Sequence, residues 1–449
     1  MVLPVRPVRG RHTRGGIAVG YEFEADADYQ EELDWVDDFV REKLEPLDFV
    51  IKHPYDRSDP VRERMIPPLQ AEVRARGLWA CHLGPNLGGP GYGQVKLALL
   101  NEIIGRAKCG PVVFGCQAPD SGNGEILAHY GTPEQKEKYL KPLLNGEIYS
   151  CFSMTEPQGG ADPKVFTTSA VRDGDQWVIN GEKWFSSHAR FASFLIVMAV
   201  TDPENPPYQQ QSMFIVPVET PGVQIVRNVG LGGQDKGPDE GTHAYMRYTD
   251  VRVPLDHMLG DRGQAFVVAQ TRLGGGRIHH CMRAIAHTRK ALDMMIERAA
   301  SRRTQGEMLG NKQMVQQMIA DSWIDLETFR LLVLRTAWRI DKYNDYKRVR
   351  ADISAVKAMM PRVLHDVSAR ALQVHGSLGL STEMPFMWMI AESFHMGLAD
   401  GPTEVHKATL ARQLLSRATP APGLFPTGHL PTRSAAAHEM FAEALEDLV

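Results

Sequence analysis

Residues 151–188, CFSMTEPQGGADPKVFTTSAVRDGDQWVINGEKWFSSH, decide how the rest of the chain is read. The stretch opens on a polar turn (Thr155, Glu156, Pro157, Gly159, Gly160, Asp162) and passes into period-2 segments. Asp173-Gly174 and Asn180-Gly181 interrupt those segments and are strong hairpin signals. A small β unit therefore begins here. The chain before Cys151 and after about residue 265 carries helical periodicity, which predicts a β domain between two helical ones. As chemistry, the stretch offers the Thr155 hydroxyl, backbone N–H groups in a Pro/Gly turn, and the indole of Trp184 beside Ser186 and Ser187. That set suits a flat, hydrogen-bonding aromatic ligand. An ordinary hairpin with a half-buried Trp would have the same composition.

Working outward, Tyr29, Leu33, Val36, Val40 and Leu44 recur at helical spacing and predict a helix over residues 26–47. A second helix is expected over 61–76, interrupted at Pro67-Pro68 and stopped by Gly77. The run HLGPNLGGPGYG at 82–93 lacks both the Gly-x-Gly-x-x-Gly order and a preceding strand, which excludes a nicotinamide or P-loop site. A helix follows over 94–107, and Thr132-Pro133-Glu134-Gln135 is a capping box for another that reaches about residue 144. Residues 212–229 and 242–260 alternate as strands of a closed or sandwiched sheet. Beyond 265 the pattern is helical, with Gly274-Gly275-Gly276 expected to interrupt it; two long amphipathic segments, 312–343 and 345–373, supply the surface of a bundle. After Thr419 a Pro/Gly/Ala-rich tail, with one short helix over 435–448, is expected to pack on a neighbour or to be mobile.

The expected organisation is α+β. A flexible basic arm (1–20) precedes an N-terminal helical domain (21–150), a β-barrel or sandwich domain (151–263), a C-terminal four-helix-bundle domain (264–418) and a tail (419–449). The 449 residues are 43% hydrophobic and 23% charged with net charge -4, a composition that provides no electrostatic reason to bind nucleic acid. Five cysteines without Cys-x-x-Cys spacing read as reduced, mostly core thiols. No apolar run is long enough for a membrane span. His279 and His280 are adjacent and do not share a helix face, so no metal site is expected.

MTEPQGGAD and NGEKWFSS, together with RRTQGEMLGNKQ at 302–313, QVHGSLG from Gln373 and LADGPTEVH around Asp400, resemble the acyl-CoA dehydrogenase family over about residues 21–418. The wording is most similar to the branch whose animal members carry an extra kinase-like domain. The resemblance implies FAD. Phe152, Met154, Thr155, Gly160, Ala161, Trp184 and Ser186 would lie at the flavin, with Thr403 and Glu404 as further cofactor contacts. Gln373, Gly376 and Ser377 would line its adenosine part, and Arg302, Thr304 and Gln313 would reach the FAD of a second subunit. Ala161, Gly274, Gly275, Gly276, Arg277 and Gly401 would meet the substrate, and Asp400 would be the catalytic base. Departures are Ser377 for a second glycine, Gln305 for an aromatic, Ala161 for a serine and Asp400 for the commoner Glu.

The implied reaction is α,β-dehydrogenation of an acyl-CoA thioester by α-proton abstraction and β-hydride transfer to flavin. Reoxidation would fall to an electron-transfer flavoprotein, and the protein would be a homodimer or homotetramer, without nucleic acid, in the cytoplasm of a bacterium or with an organelle open in a eukaryote. Burial of Asp400 beside flavin and thioester is expected to raise its pKa. Read without the resemblance, Asp400-Gly-Pro is a good helix N-cap. Two other functions share the scaffold. One is a nitroalkane oxidase-like flavoprotein oxidase, which also uses an Asp base. The other is a DNA-associated flavoprotein, which would need a basic C-terminal region, whereas the tail sets Arg433, His429 and His438 against Glu439, Glu443, Glu446 and Asp447.

Overall fold

The computed structural model of the chain describes residues 25–232 and 241–446, so the expected basic arm lies outside the described residues. A continuous helix occupies 27–47, capped by the Asp26 carboxylate, which accepts from the Tyr29 N–H at 2.9 Å. Its five predicted apolar positions are all buried. The helix Pro60–Ala75 runs through Pro67 and Pro68 without the expected interruption. The carbonyls that lose their donors there belong to Glu63 and Arg64 on the solvent side, where water can serve them, while Ile66, Leu69 and Val73 anchor the inner face. Helices Gly93–Ile104 and Asp120–Tyr130 follow. The capping box forms as read: Gln135 N–H donates to Thr132 Oγ1 (3.2 Å) and Thr132 N–H to Gln135 Oε1 (3.1 Å).

Seven strands make one sheet: β1 (Ser150–Ser153), β2 (Ser169–Asp173), β3 (Gln176–Ser187), β4 (Phe194–Val200), β5 (Gln211–Pro217), β6 (Val223–Val229) and β7 (His243–Pro254). Their order is β1-β4-β2-β3-β7-β6, with β5 on the other side of β4. Asp173-Gly174 does turn β2 into β3, with Asp173 paired to Gln176. Asn180-Gly181 does not turn the chain. It is an irregularity inside β3, where a Cβ on Gly181 would strike Thr168 Oγ1 at 2.5 Å, so the missing side chain serves close packing and not a hairpin. Strand β4 is buried on both faces: Phe194, Ile196 and Met198 pack with Ile126, Leu127 and Tyr139 of the N-terminal helices, and Leu195, Val197 and Ala199 pack with Trp177, Met246 and Tyr248.

The 37-residue helix Ala265–Ser301 is unbroken through Gly274–Gly276, which corrects the expected interruption. Each glycine costs a helix only about 1 kcal/mol. That is outweighed by packing against Gly93–Ile104, Gln313–Tyr343 and Arg350–His375. Phe386–Leu398 and Thr403–Leu415 pack onto Arg350–His375. One apolar core, including Leu100, Ile104, Ile278, Ile285, Phe329 and Val363, runs through the helices on both sides of the sheet in sequence. Residues 416–446 are exposed almost throughout and carry helices Leu430–Met440 and Ala442–Glu446.

Candidate active site

Asp400 follows the end of Phe386–Leu398 with a left-handed backbone (φ 55°), and Gly401 continues the turn at φ 106°. It is not an N-cap. Pro402 precedes Thr403–Leu415, and no side chain caps that helix. The turn aims the carboxylate at Gly276, whose absent Cβ would sit 3.0 Å from Asp400 Oδ2. Arg277 Nε donates to the Asp400 carbonyl (2.9 Å) and holds the turn.

Around the carboxylate stand His280 Nε2 at 3.5 Å and Arg272 Nη1 at 3.8 Å, with the buried Lys357 ammonium beyond. Burial pushes the Asp400 carboxyl up, but the His280 contact and the Arg272 and Lys357 charges outweigh it and hold the group well below the usual carboxylate range. That reverses the expectation that burial would raise it. Burial keeps His280 itself below its ordinary range, so at neutral pH the charges that face Asp400 are Arg272 and Lys357. Lys357 also donates to the Met396 carbonyl, tying Arg350–His375 to Phe386–Leu398.

Arg272 joins this site to the sheet. Its guanidinium lies 4.1 Å from the Phe152 ring centroid on β1, and its Nε donates to Asn123 Oδ1 (2.9 Å). Met154, Thr155, Trp184 and Ser186 sit together, where Trp184 N–H donates to the Thr155 carbonyl (2.8 Å). A buried ion pair underlies them: Lys183 Nζ reaches Glu156 Oε1 and the Met154 carbonyl, both at 2.8 Å, and Glu156 accepts from the Thr167 and Thr168 N–H groups. Burial lowers the Lys183 pKa to about 8 against the pull of Glu156. Ser186 is fully buried with its hydroxyl 2.8 Å from that of Ser153, which also meets Tyr248. Trp184 Nε1 and His188 Nδ1 are buried without a partner. Gly160 and Ala161 end the turn exposed.

The remaining candidates divide. Gly274 faces Tyr346, Gly401 faces His406, and Thr403 Oγ1 donates to the Gly397 carbonyl (3.2 Å), all near Asp400; Glu404 is exposed one residue on. Arg302, Thr304 and Gln313 flank the small hairpin beyond Ser301, about 39 Å along the helix from Gly276 at 1.5 Å per residue. Gln373, Gly376 and Ser377 lie at the same end, because His375 feels the charges of Arg298 and Glu297. Within one chain, neither group meets Asp400.

Arg272, Lys357 and the pairing of Glu156 with Lys183 escaped the sequence reading, which had named His280 only to exclude a metal and not as a neighbour of Asp400. Only Lys183 carried a signal, since it falls on the inward parity of β3 with Trp177 and Ile179. Among the described residues no group of His, Cys, Asp and Glu could hold a metal, and no helix is long and apolar enough to cross a membrane.

Family models for the acyl-CoA dehydrogenase N-terminal, middle and C-terminal domains match residues 26–147, 151–241 and 263–415. "Probable acyl-CoA dehydrogenase FadE2" of Mycobacterium tuberculosis is 41% identical over 357 residues, which cover 79% of this chain and 86% of that one. "Acyl-CoA dehydrogenase family member 11" of Gallus gallus is 39% identical over 85% of this chain, which spans only half (50%) of that relative. Among solved structures, a Mycobacterium abscessus protein assigned to the acyl-CoA dehydrogenases superposes with TM-score 0.80 at 35% identity, covering 88% of this chain and 99% of that one. Butyryl-CoA dehydrogenase from Megasphaera elsdenii superposes with TM-score 0.73 at 25% identity, covering 88% and 100%.

Proposed function

Because the chain belongs to the acyl-CoA dehydrogenase family of flavoprotein oxidoreductases, we propose that it desaturates an acyl-CoA thioester with Asp400 as base and FAD as cofactor. The observation that carries the reading is the contact chain Asp400–Arg272–Phe152, which joins the carboxylate aimed at Gly276 to the strand and turn suited to a flavin. FAD, when bound, supplies the acceptor for the hydride that leaves the substrate β-carbon.

The fit to FAD rests on unmet donors. Trp184 Nε1 is buried with no partner beside the Thr155 turn, so a flat ring with acceptors on its edge would satisfy it. The Glu156–Lys183 pair fixes that turn against β3 and makes it rigid enough to orient a ring.

Asp400 takes the α-proton. Arg272 and Lys357 keep it ionised before substrate arrives, and Arg277 keeps its backbone in the left-handed turn that aims it past Gly276. A carboxylate held this low is a weak base, so the bound thioester must acidify its own α-carbon. Backbone donors near Asp400 would stabilise the enolate character that grows on the thioester oxygen. The exposed Arg302, Gln313, Gln373, Gly376 and Ser377, with the half-buried Thr304, would meet the FAD of a second copy in a dimer or dimer of dimers, and an electron-transfer flavoprotein would take the electrons onward.

The test is an anaerobic titration of the yellow protein with acyl-CoAs of graded length. Bleaching of the flavin band is expected, and Asp400→Asn should abolish it while FAD stays bound. Absence of bleaching by every thioester, with rapid oxygen consumption on nitroalkanes, would transfer the assignment to an oxidase.

A further inference from the structure

Two thiols that the chemistry above leaves unused meet in the core of the N-terminal helices. Cys81 and Cys116 are each 2% exposed and belong to one apolar core. Each directly follows a residue with left-handed backbone, Ala80 (φ 50°) and Gly115 (φ 63°), and both lie outside the regular elements. Their two segments are tied together by the Ala80 N–H, which donates to the Phe114 carbonyl at 2.8 Å. Beside that bond the Cys81 thiol donates to the Cys116 sulfur. A disulfide needs its sulfurs about 2.05 Å apart, so thiols already in contact on irregular segments need only a small closing movement.

The two sulfurs differ in reactivity. The bond from Cys81 and the charge of Arg283, whose Nη2 donates to the Cys116 carbonyl (3.2 Å), hold the Cys116 thiol below its ordinary range. The same bond, with burial, keeps Cys81 protonated. In the other three cysteines, Cys109, Cys151 and Cys281, burial outweighs every nearby cation and pushes the thiol up. A thiol with lowered pKa beside a second, resolving thiol is the arrangement that reacts with peroxides. The oxidant also has a way in. A cavity of about 180 Å³ beside Gly275 and Gly276 is lined by His82, Leu83 and Gly84, which follow Cys81, and by Ser121, Gly122 and Glu125 on the helix Asp120–Tyr130, which begins shortly after Cys116. Both ring nitrogens of His82 are buried with no partner, so they can hold a molecule as small as hydrogen peroxide close to the thiols.

We propose that Cys81 and Cys116 form a dithiol that hydrogen peroxide oxidises, and that the resulting disulfide cross-links the two segments lining this cavity. The Cys116 thiolate attacks one peroxide oxygen, the O–O bond breaks, and the departing hydroxide takes up a proton as water, leaving Cys116 as a sulfenic acid. The Cys81 sulfur gives up its proton and displaces hydroxide from that acid, forming the S–S bond and a second water. The two sulfurs together lose two electrons, and the peroxide gains them. No step uses flavin or thioester, so the proposal stands apart from the dehydrogenase reading.

The test treats the folded holoprotein with hydrogen peroxide, counts thiols with a maleimide after denaturation, and maps peptides without reduction. The free thiols, five in the reduced protein, should fall by two, with Cys81 linked to Cys116 and both recovered by dithiothreitol. Cys81→Ser removes the resolving thiol but keeps a donor to Cys116, so Cys116 should then be trapped by dimedone as the sulfenic acid. Cys116→Ser, or Cys116→Ala where the serine variant folds poorly, should slow oxidation of Cys81 at least about tenfold. An unchanged thiol count overturns the proposal, as does oxidation confined to Cys109, Cys151 or Cys281. Loss of all five thiols at one rate would mean that peroxide reaches them only in unfolded chains, and it overturns the proposal as well.

Discussion

Gly276→Ala should stabilise the helix and slow the chemistry at once. Alanine is better than glycine in a helix interior by about 1 kcal/mol. The helix Ala265–Ser301 is regular at this position, so the melting temperature should hold or rise slightly. The new Cβ, however, would lie 3.0 Å from Asp400 Oδ2, against an ordinary contact of 3.4–4 Å, so the carboxylate must retreat by about 0.4 Å. It has little room to do so. Its backbone is left-handed, Arg277 pins its carbonyl, and Arg272 and His280 flank its oxygens. Misplacing a reacting group by about 1 Å costs roughly a hundredfold, so a shift under half that size should slow flavin reduction about tenfold, or about 1.4 kcal/mol. Anaerobic stopped-flow reduction with a saturating thioester, beside a thermal melt, reads both quantities. Reduction at the wild-type rate by a folded, FAD-loaded variant would refute the placement of Asp400 as the base.

Two further outcomes follow from other parts of the molecule. Lys183→Met leaves Glu156 buried without its cation and should cost about 3–5 kcal/mol, seen as a lower melting temperature and loss of FAD on gel filtration. In the pH dependence of stability, Glu125 has a folded pKa raised to about 7, so the folded state binds the extra proton. Its contribution is full below the unfolded value near 4.5 and fades as pH rises through about 7. Denaturant titrations of wild type and Glu125→Gln across pH 4.5–8 should therefore diverge, with the wild type losing more stability than the variant over that window. Asp400 acts in the opposite sense: its depressed pKa contributes stability that is lost only as pH falls below the usual carboxylate range.

Much of the architecture was legible because helices and turns are local. The apolar stripe from Tyr29 to Leu44, the Thr132–Gln135 box and the Asp173-Gly174 turn depend on neighbours a few residues away, and all three form as read. The misreadings share a cause. Pro67-Pro68, Gly274–Gly276 and Asn180-Gly181 are local breakers that tertiary surroundings overrode: solvent took the orphaned carbonyls, packing offset the helix cost, and Thr168 filled the space over a glycine.

The sequence by itself determined the segments and their order, the Trp184-x-Ser186 and Asp400-Gly-Pro signatures, and the apolar stripes that set the cores, because spacing along the chain is enough to express each of them. Only the tertiary structure decided the charge on Asp400, which comes from Arg272, His280 and Lys357 on two other helices. It also decided the pairing of Glu156 with Lys183 and the gathering of His82, Glu125 and His279 around one cavity. Coulomb energy and desolvation depend on distance and burial in space, and residues so far apart in the chain acquire both only when it folds.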